Sequence, residues 1–297
     1  MGVWHSSSDG YVQILGIRIF YRSFGEPGNK GTVLCLHGGP GAAHDYMLPL
    51  TDLAQAGYRV VLYDQMGCGR SELPKNKSLL TVERHVEEVE GVRRELKLGK
   101  IHLVGSSCGG MFGLAYALKY QANLRSMTQI GGFASTPFYL AEVEKLKSKL
   151  PSKVLKGIKK HEANSDYENP AYLNAVTEFY KRHVCRLPEW PPEVKYSMEQ
   201  TNGTVYKTMW GPNEFTCIGA LRYWDVTDKI HQIKIPCLII TAKYDEVTPN
   251  VAKSMHAEIK NSKLVLLDKS AHLCMWDERE KFIEVMRDFL GRLPQHS

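Results

Sequence analysis

Residues 101–110 read Ile-His-Leu-Val-Gly-Ser-Ser-Cys-Gly-Gly. The apolar run over 101–104 has the character of a strand, and it breaks at once into the pattern G-x-S-x-G-G. A helical segment then follows over 109–120. A strand that reverses this sharply into a helix can carry an exposed nucleophilic serine at the turn. It does so only where the residues two before and two after the serine are small, since larger side chains would collide with the strand or the helix. With Ser107 at the apex those residues are Gly105 and Gly109; with Ser106 they would be Val104 and Cys108. Ser107 is therefore the candidate nucleophile.

Outward from this turn the chain alternates strand-like and helix-like segments. Residues 11–15 and 17–24 read as a hairpin turning near Gly16, and 32–36 and 59–63 are continuous apolar runs of the kind buried on both faces of a parallel sheet. A helix is expected over 43–56 with Gly57 as its stop, and another over 81–97 stopped by Gly99. After a strand at 124–131 the alternation pauses. Residues 136–216 are helical in pattern, rich in Lys and Tyr, and broken by Pro151, Pro170, Pro188, Pro191 and Pro192. It then resumes with strands at 235–241 and 263–267 and helices at 249–259 and 277–290. The expected class is α/β, a mostly parallel sheet flanked by helices. Residues 1–135 and 219–297 would form its core, and 136–218 an all-helical cap over the strands' C-terminal edge, where such sheets bind ligands.

Composition narrows the function classes. The 297 residues are 43% hydrophobic and 24% charged, ordinary for a globular protein, with a formal charge of +6. The densest basic stretch (Lys145, Lys147, Lys149, Lys153, Lys156, Lys159, Lys160) lacks interleaved aromatics and reads as a solvated helical face rather than a nucleic-acid patch. No apolar run approaches the ~20 residues that span a bilayer. Met1-Gly2-Val3-Trp4-His5-Ser6 fits a bare acylation pattern without a basic follow-up and is read as coincidence. Seven cysteines without C-x-x-C or zinc spacing, and no secretory leader, suggest a reduced, cytoplasmic protein that needs no metal or organic cofactor.

A serine hydroxyl becomes a useful nucleophile when an imidazole takes its proton and a buried acid orients that imidazole. Asp245 follows the strand at 235–241 and His272 follows the strand at 263–267. Both stand in the chain order Ser, acid, His expected of strand-loop-helix enzymes. Asp268 is a competing acid, and Asp245 could instead cap the helix after Pro249. The loop His37-Gly38-Gly39-Pro40-Gly41 ends another strand. Its glycines let backbone N–H groups approach a reacting carbonyl, and Gly39 N–H with Cys108 N–H form the natural oxyanion pair. Asp64–Ser71, ending a further strand, reads as a structural turn beneath the site.

Together these residues resemble the prolyl aminopeptidase (proline iminopeptidase) family of α/β-hydrolases. The resemblance runs through HGGPG at 37–41, DQMGCGRS at 64–71, GSSCGG at 105–110, YENP at 167–170 and WPPEV at 190–194. It continues in GPNEF at 211–215, YDEVTP at 244–249 and AHLCMWDERE at 271–280. It implies the α/β-hydrolase fold and an exopeptidase whose substrate's free α-ammonium is bound by Glu214 and Glu246. The substrates implied are short peptides with a free N-terminus, with a functional link to a proteasome-like or tricorn-like protease. Cys108 stands where relatives often carry a bulky aromatic, which would put a thiol on the pocket wall. The alternatives are an amino-acid amidase or carboxylesterase on the same scaffold, indifferent to a free amine, and a non-catalytic docking protein.

Overall fold

The computed structural model describes residues 7–28 and 30–294, so the acylation-like pattern at Met1–Ser6 lies outside the described residues. Eight strands form one sheet in the order β1-β2-β4-β3-β5-β6-β7-β8. The hairpin pairs β1 (Ser8–Ile14) with β2 (Ile17–Phe24) through a two-residue turn, Leu15 and Gly16, both at positive φ (54° and 82°). That left-handed pair matches the twist of the strands it joins. β2 runs antiparallel to β4 (Arg59–Tyr63), and every later pairing is parallel. β3 (Thr32–Leu36) lies between β4 and β5 (Ile101–Ser106), followed by β6 (Leu124–Ile130), β7 (Cys237–Ala242) and β8 (Ser262–Leu267).

Side chains alternate across the central strands and build a core on each face. On one face Leu34, Leu36, Val61, Leu103, Met127 and Ile239 pack against α1 (Val82–Glu95), α2 (Cys108–Tyr120) and α8 (Pro249–Glu258). On the other, Val33, Cys35, Val60, Leu62, Val104 and Ile240 pack under residues 44–56 and α10 (Arg279–Gly291). Each fully buried aliphatic side chain contributes roughly 1.5–3 kcal/mol. Residues 44–56 form a 3-10 helix rather than the expected α-helix. Pro49, inside it, has no N–H to donate and its ring opposes α-helical closure. Gly57 ends the segment as expected, left-handed at φ 88°.

Between β6 and β7 the described chain adds no strand to the sheet; it forms α3 (Thr136–Lys147), α4 (Ser152–Ala163), α5 (Pro170–His183), α6 (Pro192–Glu199), α7 (Gly203–Met209) and a 3-10 turn at Ile230–Gln232. It leaves and returns at one neck, where Thr136 N–H donates to Trp224 O (2.9 Å) and Val226 N–H to Ala134 O (2.8 Å). Of the basic stretch, Lys147 departs from the expected solvated face. It is buried, 2.8 Å from Glu144 and 3.2 Å from Glu162, and so ties α3 to α4. All seven cysteines are free and buried. Among the described residues no helix is long and apolar enough to cross a membrane.

The chain visits β3 and β4 and then crosses to β5, which pairs with the opposite side of β3. This reversal opens a crevice at the C-terminal ends of β3 and β5, the topological position where open α/β sheets bind ligands. The loops that leave those two strands carry Gly38–Gly39 and Ser107.

Candidate active site

Ser107 occupies the apex between β5 and α2 with φ 55° and ψ −125°, a conformation L-residues rarely adopt. Its N–H donates to Ile130 O (2.9 Å), and its carbonyl accepts Gly110 N–H (2.8 Å). The glycine requirement read from the sequence has a geometric cause. A Cβ on Gly105 would lie 2.5 Å from Gly109 O, and one on Gly109 would overlap Leu36 O. Gly38 is under the same constraint from the other strand, because its Cβ would lie 2.7 Å from Ser107 Cβ. Gly38 N–H is already used, donating to Tyr46 Oη at 2.6 Å. Gly39, at φ 116°, is the next amide on that loop and lines the same cavity as Ser107. Cys108 opens α2, where the helix dipole places partial positive charge. Its thiol is buried in the core, and burial pushes its pKa well above the usual thiol range. The side chain is thus inert packing, not the reactive pocket wall expected from its position.

His272 and Asp245 meet as the chain order suggests. His272 Nδ1 lies 2.7 Å from Asp245 Oδ1, both buried. The same carboxylate oxygen accepts Val247 N–H (2.8 Å), which orients the acid within its own loop. Asp268 is exposed and does not take the acid's place. The base loop is held by the acids that follow it in sequence. Asp277 accepts Ala271 N–H (2.8 Å), and Glu278 accepts both Lys269 N–H (2.9 Å) and Ser270 Oγ–H (2.6 Å).

Two residues missed in the sequence complete this arrangement. Gly131, directly after β6 at φ 55°, leaves the space into which Asp245 and His272 fit. A Cβ there would lie 2.7 Å from His272 Nδ1 and 3.1 Å from Asp245 Oδ2. The only sequence signal was a glycine at a strand's C-terminal end. His183, the last residue of α5, spans both loops. Its carbonyl accepts Glu246 N–H and His272 N–H, each at 3.2 Å, and its Nδ1 lies 2.8 Å from Tyr244 O. Nothing local in the sequence marks it, because its partners lie about 60–90 residues away in the chain. Gly131→Ala is expected to reduce kcat about 10²-fold with a smaller change in KM, since a displacement of the base near 1 Å costs that much. Steady-state kinetics beside a thermal melt check this; a kcat within twofold of wild type would show that the imidazole does not need the space.

Ser107, His272, Gly39, Glu214 and Glu246 all line one cavity of about 310 Å³. Glu214 accepts Tyr206 Oη–H at 2.7 Å, and its backbone carbonyl accepts Tyr139 Oη–H at 3.0 Å. Glu246 is buried, with Oε1 3.8 Å from His272 Nε2 and Oε2 without a hydrogen-bond partner among the described residues. Burial raises the pKa of both glutamates, and for Glu246 the nearby Glu214 charge raises it further. Burial disfavours the His272 imidazolium, but Asp245, then Glu246 and Glu214, outweigh it and raise the pKa to about 9. The Asp64–Ser71 turn is held by its own acid. Buried Asp64 takes His44 Nδ1 at 2.7 Å and Arg70 N–H at 2.8 Å. His44, Asp45 and Asp64 form the one metal-ligand-like group among the described residues, and the Arg70 guanidinium already lies 3.1 Å from Asp45 and 3.5 Å from Asp64.

Residues 31–279 match the family model described as the alpha/beta hydrolase fold. A proline iminopeptidase of Thermoplasma volcanium is 46% identical over 96% of this chain and 97% of its own. The proline iminopeptidase of Saccharolobus solfataricus is 44% identical over 96% and 93%. Among solved structures, the proline iminopeptidase of Mycobacterium smegmatis superposes with a TM-score of 0.89 at 31% identity, covering 96% of this chain and 98% of that one. The chain therefore belongs to the α/β-hydrolases, and within them to the proline iminopeptidase family.

Proposed function

We propose that this chain is a serine aminopeptidase releasing N-terminal proline and other small or hydrophobic residues from short peptides. The observation that carries this reading is the pair Glu214 and Glu246, which share one cavity with Ser107 and His272. Among the described residues no Lys or Arg lines that cavity and none gives Glu246 Oε2 a hydrogen bond. Two carboxylates in a secluded, low-dielectric space complement one ammonium, and leave an acylated or internal peptide without the cation they require.

The reaction then uses the residues in the following roles. Ser107 Oγ attacks the first peptide carbonyl while its proton passes to His272 Nε2, and Asp245 stabilises the imidazolium that forms. Gly39 N–H and Cys108 N–H receive the oxyanion. His272 returns the proton to the leaving amine, and water, activated by the same base, hydrolyses the acyl-enzyme. Residues 136–218 act as the cap, contributing Tyr180, Met198 and Tyr206 to the cavity wall. A cavity of about 310 Å³ suits one terminal residue and its scissile bond. Cytoplasmic peptides of the size a proteasome-like or tricorn-like protease releases match such a site.

A panel of aminoacyl arylamides with matched N-acetylated controls tests the reading. Free amines are expected to be cleaved and acetylated ones spared; equal cleavage would return the amidase or esterase reading, which the named relatives do not favour. Glu214→Gln and Glu246→Gln are each expected to raise KM and lower kcat/KM about 10–10²-fold, the loss of a hydrogen bond to a charged group.

A further inference from the structure

The ammonium anchor and the general base are in contact. With Nδ1 of His272 bound to Asp245, its other nitrogen, Nε2, lies 3.8 Å from Glu246 Oε1. His272, Asp245 and Glu246 are 6%, 2% and 2% exposed, so water screens these charges little. Glu214 faces the same cavity. Among the described residues, the other ionisable groups packed around the base and these acids include Tyr46 in the 44–56 segment, Tyr139 on α3, Tyr180 on α5, Tyr206 on α7, Cys108 on α2 and Cys274 on α9 (Cys274–Asp277). Burial keeps all six in their neutral forms. His183 on α5 is likewise held neutral by burial. Arg182 and Arg186 line a separate cavity on the far side of His183 and Tyr244. Among the described residues, the free site thus gathers three carboxyl groups around a single group able to carry positive charge, the imidazole of His272.

We propose that Glu246 is an electrostatic lock on His272, holding the imidazole protonated in the free enzyme until the substrate's α-ammonium neutralises Glu246 and Glu214. This deepens the aminopeptidase reading and rests on it. An imidazolium cannot accept the Ser107 proton, so the resting base is idle. The bound ammonium offsets the two glutamates, and His272 Nε2 releases its proton to bulk water, leaving a neutral imidazole ready to act. A substrate arriving as the neutral amine takes that proton itself and reaches the same state. Asp245 at Nδ1 favours imidazolium over a Glu246 carboxylic acid as the resting holder of the proton. The raised pKa of His272, about 9, fits this resting state. Selection for a free N-terminus is then exercised in the chemical step as well as in binding, because an acylated peptide meets a protonated base.

The test is the pH dependence of Ser107 sulfonylation by phenylmethanesulfonyl fluoride, a neutral reagent that needs the unprotonated base and carries no ammonium. For the wild type the rate is expected to rise with a midpoint near 9. Pyrrolidinium, at concentrations that competitively inhibit arylamide hydrolysis, should move that midpoint down by about one unit or more. Glu246→Gln should lower the midpoint without ligand and blunt the pyrrolidinium response. The variant is isosteric and removes a buried, partly unpaired charge, so its thermal melt should not fall. Identical midpoints in wild type and Glu246→Gln, unmoved by pyrrolidinium, would overturn the lock. If free aminoacyl arylamides were still preferred over acetylated ones, the anchor would stand and only the lock would fail. Loss of that preference would remove the aminopeptidase reading itself.

Discussion

Ser107→Ala is expected to lower kcat about 10⁴–10⁶-fold, the range for removing the nucleophile from a Ser-His-acid set. The substitution keeps Cβ, the atom that stands against Gly38, so the elbow's packing survives. The strained φ of 55° is carried equally by alanine and serine, and the melting temperature should stay near that of the wild type. Larger replacements would confound the result by crowding the close approach to Gly38. Residual turnover would come from the amide donors of Gly39 and Cys108 together with binding. Single-turnover kinetics with a free aminoacyl arylamide gives the measurement. A variant within tenfold of wild type would exclude Ser107 as nucleophile. It would not promote Ser106, which is fully buried and does not line the cavity.

Asp245→Asn should reduce kcat/KM about 10³–10⁴-fold. The geometry makes it an informative change. Asp245 Oδ1 already accepts Val247 N–H and faces His272 Nδ1, so an amide oxygen at that atom can keep both contacts. What is lost is the negative charge that stabilises the imidazolium. The sign of the accompanying pH effect follows. Asp245 is the strongest influence raising His272, so its neutralisation lowers the pKa of the base. The alkaline rise in sulfonylation rate should therefore move to lower pH while its plateau falls. An unchanged midpoint would mean that the Asp245 charge does not reach the base.

The two changes probe features of unequal visibility in the sequence. The elbow at 101–110 was readable because its requirement is local: Gly105 and Gly109 are small for reasons set within two residues of Ser107. Parallel strands buried on both faces are continuous apolar runs, so β3 and β4 carried their boundaries in their composition. The 44–56 segment was placed correctly, but its type was not. Pro49 removed a donor within a pattern that otherwise reads as an α-helix. Lys147 looked like its exposed neighbours, because only the packing of α4 against α3 brings Glu162 to it.

The site's second layer was not legible by the same means. Gly131 is constrained by an imidazole and a carboxylate from two other loops, and His183 by amides at 246 and 272. Their signals exist only once β6, α5 and the two loops are side by side. The choice between Asp245 and Asp268, left open by spacing, depended on burial: one turns inward to His272 and the other faces solvent.

The sequence by itself determined the order of elements, the sharp turn at Ser107 and, through family resemblance, the choice of the two glutamates as candidates. Those are properties of short segments, governed by periodicity, glycine's missing Cβ and residue type. Only the tertiary structure brought Glu246 within 3.8 Å of His272 and gathered three carboxyl groups around one imidazole. The interaction of charges depends on their separation and on the water excluded between them, and neither quantity exists before the chain has folded.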